Sequence, residues 1–342
     1  MMMNPSKYLF FTTLLLGTLI SISSNSWVGA WVGLEINLLS FIPLMMQAKN
    51  PLSTEASLKY FLIQALASSI LLFSFILAQL TIKMTLMDYS EFLFTLLLSS
   101  LLLKMGSAPF HFWFPGTMEG LSWMNCLILM TWQKIAPLML TSYLIKFNTF
   151  MVLIIILSIT VGSLGGLNQT SLRKLMAYSS INHLGWMLSG MLSGENLWLI
   201  YFLIYFLLNV SVTFIFSTFQ LSYLSQNYLI LNAHPSAKFC LYSVLLSLGG
   251  LPPFLGFMPK WLVIQTLTNL NQLFLTTLMI MMTLITLFYY IRLTFSAFLL
   301  SPFDLSWNQG MKYNNWSLMI IALLTINSFL GLMLFTVLLL IY

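Results

Sequence analysis

Four charged side chains fall inside stretches too apolar to hold them idly. Glu35 lies in the middle of a run over 26–47. Lys104 stands at an interruption of a run over 88–118, Lys134 near the middle of 121–144, and Lys260 just past an interruption of 237–267. Inside a bilayer each such charge costs about 2.5–3.5 kcal/mol on insertion scales, so four cost on the order of 10 kcal/mol if unpaired and dry. That is as large as a typical folding stability. One carboxylate neutralises one lysine. The other two lysines must be neutral, hydrated or served by backbone carbonyls. A desolvated lysine gives up its proton readily, because low dielectric penalises the charged form. A row of such lysines beside a carboxylate is a candidate proton relay. A structural buried pair, with a lysine such as Lys260 snorkelling to the headgroups, is the alternative.

Two histidines join this set. His111 follows the first interruption directly, in Pro109-Phe110-His111-Phe112-Trp113, and His183 lies in Ser179-Ser180-Ile181-Asn182-His183-Leu184-Gly185-Trp186. A neutral imidazole both accepts and donates a proton, which suits a relay. Each could equally be a satisfied packing group. His234, before Pro235, reads as a loop residue. Cofactor chemistry is not expected of this chain. Cys126 and Cys240 lie in apolar runs and read as small buried hydrophobes. An iron–sulfur cluster needs about four thiolates. No Gly-x-Gly-x-x-Gly turn, phosphate-binding loop, Ser-His-Asp set or His-Glu-x-x-His pair is present. Three isolated histidines argue weakly for haem.

The surroundings are those of a membrane protein. Of 342 residues 59% are hydrophobic and 6% charged, with 13 Lys or Arg against 7 Asp or Glu. Soluble globular chains carry roughly 25% charged residues. A water-soluble enzyme, a disordered chain and a nucleic-acid binder are excluded. Hydropathy and punctuation predict an all-α polytopic protein of eleven transmembrane helices. They cover 7–24, 26–47, 56–81, 88–118, 121–144, 149–167, 171–193, 196–222, 237–267, 271–299 and 315–341. No Arg-rich presequence or cleavable signal is expected. The 23 methionines and the Leu, Phe and Ile excess suit an AT-rich organellar genome.

The fourth and ninth helices are too long for simple spans and contain breakers, Lys104-Met105-Gly106-Ser107-Ala108-Pro109 and Gly249-Gly250-Leu251-Pro252-Pro253. Broken helices survive in lipid only where protein or a wet cavity satisfies the freed backbone groups. Pro109-Phe110 followed by Pro115 matches Pro253-Phe254 followed by Pro259. The two breaks lie five helices apart, and an odd number of crossings inverts the second copy. The pattern predicts two inverted five-helix repeats within one transmembrane domain over 1–342. The first covers 1–148 and the second 149–300, and 301–342 adds a loop and a C-terminal helix. The sixth to tenth helices then mirror the first to fifth, so His183 and Glu35 occupy related helices.

The remaining charges set orientation. With the N-terminus on side A, that side holds Lys7, Lys49, Lys59, Arg173, Lys174, Lys238, Arg292 and Lys312, and side B holds Lys83 and Lys146. The positive-inside rule makes side A the matrix or cytoplasmic face. The acids divide evenly, Glu55, Glu119 and Asp304 on A against Asp88, Glu91 and Glu195 on B.

Four motifs carry a resemblance. They are Gly33-Leu34-Glu35-Ile36-Asn37-Leu38, Lys104 to His111, Trp132-Gln133-Lys134, and Pro252-Pro253-Phe254-Leu255-Gly256-Phe257-Met258-Pro259-Lys260-Trp261. Each alone is weak; together they are specific. The chain resembles, over essentially its whole length, the antiporter-like chain 2 family of mitochondrial NADH–ubiquinone oxidoreductase, respiratory complex I, in an insect-like animal form. The resemblance implies an Mrp-related fold lacking the three N-terminal helices of bacterial relatives. It implies a core membrane-arm subunit of the inner membrane, translocating protons as NADH reduces ubiquinone. NADH, FMN, iron–sulfur clusters and ubiquinone then belong to partner subunits. The partners are a neighbouring antiporter-like subunit, a small neighbouring membrane subunit and lipids, with no nucleic acid. By the same resemblance Glu35 matches the family glutamate, Lys104 its paired lysine, Lys134 the central lysine joining two half-channels, and Lys260 the ionisable residue of the second broken helix. The N-terminus is expected on the matrix side and the C-terminus towards the intermembrane space. A stand-alone cation/proton antiporter and a purely structural scaffold are the competing classes.

Overall fold

A computed structural model describes residues 5–47, 50–83, 90–194, 196–226, 235–299, 319–326, 328, 329 and 331. Lys49, Asp88, Glu195, His234, Asp304, Lys312 and most of the predicted helix 315–341 lie outside the described residues, as do the side chains of Lys83 and Glu91. The chain divides into two compact units, Met1–Ile154 and Ile155–Tyr342.

The first unit opens with α1 (Pro5–Ser23) and α2 (Trp27–Met45). Ser26 caps α2, its Oγ accepting from the Gly29 N–H at 3.2 Å, which satisfies one of the orphan donors of a helix start. The two helices approach closely. A Cβ on Gly33 would stand 2.5 Å from the Ser21 nitrogen. In lipid such small residues let backbones meet, since no hydrophobic force drives helices together there. Next comes α3 (Pro51–Lys83), five residues earlier than its predicted start. Asn50 Oδ1 accepts from the Leu52 N–H at 3.1 Å and proline fills the first helical position, where its missing N–H costs nothing. α4 (Ser90–Met105), α5 (Trp113–Gly120), α6 (Trp123–Met130) and α7 (Trp132–Leu144) complete the unit.

α8 (Thr149–Gly166) carries the unit boundary. The second unit continues with α9 (Leu172–Ser193), α10 (Leu197–Thr218), α11 (Pro235–Gly249), α12 (Phe257–Asn269) and α13 (Leu273–Leu299). Residues 319–326 are also helical. α9 is enclosed along nearly its whole length and buries Ser179, Ser180, Asn182, His183 and Ser189. Close approach makes this possible: a Cβ on Gly162 of α8 would stand 2.5 Å from the Asn182 nitrogen.

Among the described residues six helices are long and apolar enough to cross a membrane, namely α1, α2, α3, α8, α10 and α13. The others are polar, as α9 is, or interrupted. The predicted helix 88–118 is split into α4 and α5, and 237–267 into α11 and α12. Both α4 and α11 end the same way. Gly106 (φ +74°) donates to Leu103 O and Ser107 N–H donates to Leu102 O. Gly250 (φ +87°) donates to Ser247 O and Leu251 N–H to Leu246 O. This paired termination needs a left-handed residue, a conformation glycine adopts without strain. The predicted helix 121–144 contains a third, unexpected interruption, at Thr131, between α6 and α7. No glycine marks it. Thr131 Oγ1 bonds back to Leu127 O at 2.6 Å, which bends helices. Pro137, inside α7, removes one further backbone donor.

Candidate functional site

The first break builds a cavity. Its freed carbonyls are met by neutral groups. Leu102 O takes the Gly106 and Ser107 N–H groups. Leu103 O accepts from Trp113 Nε1 at 3.2 Å, and Lys104 O from Gln64 Nε2 at 3.1 Å. The carbonyls are thereby satisfied, and none of these bonds uses the Lys104 ammonium. Beside the break lies a small polar cavity, whose lining includes Lys104, Lys134, Asn37, Tyr60, Gln64 and Gln133. Two lysines 30 positions apart in the chain therefore share one space. Lys134, placed in the first turn of α7 by the Thr131 interruption, is 1% exposed. Its ammonium lies 5.1 Å from the Phe114 ring centroid, a cation–π arrangement.

Glu35 acts electrostatically on Lys104. Among the described residues, however, no ion-pair contact within 4.0 Å joins them. Glu35 is half-buried on α2. The interaction expected as a direct pair is thus a through-space one. His111 follows the break and is buried.

The second break treats its carbonyls differently. Leu248 O and Gly249 O, at the end of α11, accept from Lys260 Nζ at 3.4 and 2.8 Å. Lys260 follows its break in sequence, yet its side chain folds back to the preceding half-helix. There the negative end of the helix dipole favours a cation. The Trp186 ring centroid lies 6.0 Å away. Lys260 therefore does not snorkel. It is served by backbone carbonyls.

His183 is buried in α9, where Nδ1 lies 2.8 Å from the Tyr201 hydroxyl of α10, and the Tyr205 ring centroid is 5.1 Å away. Sequence reasoning missed both tyrosines, because aromatic residues on apolar helices read as packing. Lys238, counted with the side-A charges, is buried in the first turn of α11, with its ammonium 5.4 Å from the Phe298 ring centroid. Among the described residues no three His, Cys, Asp or Glu side chains cluster as a metal site.

A profile of the family "NADH:quinone oxidoreductase/Mrp antiporter, TM" matches residues 24–286. The chain belongs to this family. Within it, the relative named NADH-ubiquinone oxidoreductase chain 2 of Anopheles gambiae is 58% identical over 315 residues, 92% of either chain. The relative of the same name from Aedes aegypti is 55% identical over 341 residues, covering 99% of this chain and all of that one. Among solved structures, a chain of respiratory complex I from Thermus thermophilus with bound aureothin aligns with a TM-score of 0.84 at 25% identity, covering 96% of this chain and 78% of that one. A chain of an Mrp complex from Dietzia sp. shares the fold, with a TM-score of 0.75 at 16% identity, covering 84% of this chain and 59% of that one. The antiporter family member described here is thus an all-helical membrane protein of antiporter-like fold.

Proposed function

We propose that the chain is an antiporter-like subunit of the membrane arm of respiratory complex I, carrying protons across the mitochondrial inner membrane as NADH reduces ubiquinone. The observation that carries the relay is the single cavity lined by Lys104 and Lys134. Glu35 is the control charge. A change arriving at Glu35 alters the field on Lys104, and with it the proton affinity of the cavity. Such a shift needs a charge interaction that differs between two states, and a carboxylate acting through space supplies one. Lys260, with His183 and Tyr201, is the corresponding group of the second half, and His111 borders the first break. The redox groups, NADH, FMN, iron–sulfur clusters and ubiquinone, belong to partner subunits. The adjoining partners are a second antiporter-like subunit and a small membrane subunit.

The chain is read as eleven spans, with two inverted five-helix repeats over 1–148 and 149–300 and a last helix within 301–342. A constant offset supports this. Gly250 follows Gly106 by 144 positions, and the same step carries Trp113, which opens α5, to Phe257, which opens α12. It also carries the starts of α1, α2, α3 and α4 to within two residues of the starts of α8, α9, α10 and α11. Lys and Arg bias supports an N-terminus in the matrix and a C-terminus towards the intermembrane space.

Replacing Lys134 by methionine keeps the stem and removes the titrating group. In the assembled complex, Lys134→Met is expected to depress NADH-driven proton pumping. Full pumping would refute the relay and leave a scaffold. Migration apart from any large NADH-oxidising assembly would instead favour a free-standing antiporter.

A further inference from the structure

Three polar side chains unused so far join across the cavity that Lys104 and Lys134 share. Gln133 Nε2 donates to Asn37 Oδ1 at 2.9 Å. Tyr60 O–H donates to Gln133 Oε1 at 3.4 Å. The chain of bonds therefore links α3, α7 and α2. All three residues line the cavity together with both lysines. Asn37 and Tyr60 are each 3% exposed. A buried amide that contributes only packing is expensive, because leaving one of its polar atoms unpaired costs more than the bond returns. Two amides facing each other at the space between two titrating lysines need a reason.

Their chemistry supplies it. An amide offers two donors and one strong acceptor, but it neither gains nor loses a proton near neutrality. It cannot be a station of a relay. It can orient the waters that are. After the Asn37–Gln133 bond forms, the pair still holds the Asn37 Nδ2 hydrogens, one Gln133 Nε2 hydrogen and spare oxygen lone pairs. A polar cavity with several such partners is where ordered water resides, and bridging water is nearly as good as a direct bond.

We propose that the Asn37–Gln133 amide pair positions the water through which a proton passes between Lys104 and Lys134. The balance is simple. A proton leaves the ammonium of one lysine for the water between them, that water gives one of its own protons to the amine of the other lysine, and the water and the amides return unchanged. Gln133 and Asn37 are positioning residues, and their role rests on the relay reading of the two lysines. Their placement suits it, since Gln133 precedes Lys134 on α7 and Asn37 lies half a turn beyond Glu35 on α2.

The test uses the assembled complex in coupled membranes, with Gln133→Leu, Asn37→Leu, the double variant and Lys134→Met in parallel. Each single variant is expected to slow NADH-driven proton pumping about tenfold, the kinetic effect of one neutral hydrogen bond, and to shift the pH–rate profile. The double variant is decisive. Replacing both partners of a structural hydrogen bond by apolar groups is nearly neutral. A pair that only holds helices together would therefore recover pumping in the double variant, and that recovery overturns the proposal. A pair that orders water stays slow in the double variant, no worse than either single one. The double variant also keeps the test valid if a single variant fails to assemble. Wild-type pumping and pH profile in the single variants overturn the proposal as well. Full pumping in Lys134→Met removes the relay itself, whereas full pumping in the amide variants alone removes only the part assigned to the amides.

Discussion

Gly250→Ala is a sharp probe of the second break, because one added carbon touches both the backbone and the lysine. At φ +87° an L side chain is strained by roughly 1–2 kcal/mol. The new Cβ would stand 2.9 Å from Lys260 Nζ and 3.0 Å from its Cδ. The lysine tip is the part free to move, so it swings away and the 2.8 Å bond to Gly249 O is lost. A hydrogen bond from a charged group is worth about 1.5–3 kcal/mol, which brings the total to about 2.5–5 kcal/mol. Repeating the substitution in a Lys260→Met background separates the two parts. Methionine has no ammonium to displace, so the hydrogen-bond part is absent, while the backbone strain and the crowding of the side-chain stem remain. The coupling between the two positions is then about 1.5–3 kcal/mol, up to a ten- to hundredfold difference in rate. The assay is the rate of heat inactivation of NADH oxidation in membranes carrying the wild-type complex, the two single variants and the double variant, with assembly checked on native gels. Additive effects, within about 0.5 kcal/mol, would refute the reasoning. They would mean that Gly250 is required only for its backbone and that the break does not hold Lys260 in place.

Two further expectations follow from the geometry. Glu35→Gln removes a charge that acts on Lys104 through space. It should therefore leave assembly intact while changing the proton-to-electron ratio or the pH dependence of turnover; unchanged values of both would make Glu35 merely structural. Gly33→Ala puts a Cβ 2.5 Å from the Ser21 nitrogen of α1, where neither backbone can yield, whereas Gly116→Ala on α5 meets nothing within 4 Å. The first should cost about 1–3 kcal/mol by forcing the helices apart and reduce the assembled complex. The second should be neutral or stabilising by about 0.5–1 kcal/mol, because alanine suits a helix better than glycine. Equal amounts of assembled complex from the two variants on native gels would refute the close contact of α1 and α2.

Sequence alone was enough to mark the residues out of place. Glu35, Lys104, Lys134 and Lys260 are legible because a charge in an apolar run is costly wherever the run finally packs. The two glycine–proline breaks are legible because φ preference and a missing N–H are properties of a residue, and they act locally. Helix ends followed for the same reason, and where α3 began early the cause was again local, an Asn50 cap before Pro51.

The surroundings of each charge depend on contacts between distant residues. Lys104 and Lys134 share a cavity only because α4 and α7 pack together. Gln133 reaches Asn37 across 96 positions, and Gln64 reaches the Lys104 carbonyl across 40. Lys238 stands near a loop in sequence, and only the fold brings the Phe298 ring over its ammonium. The two breaks share one pattern of sequence, but Gln64 and Trp113 satisfy the carbonyls of the first while Lys260 satisfies those of the second. Residue type sets what a side chain costs in a membrane. The groups that offset the cost come from other helices, and only the folded arrangement brings them within hydrogen-bond reach.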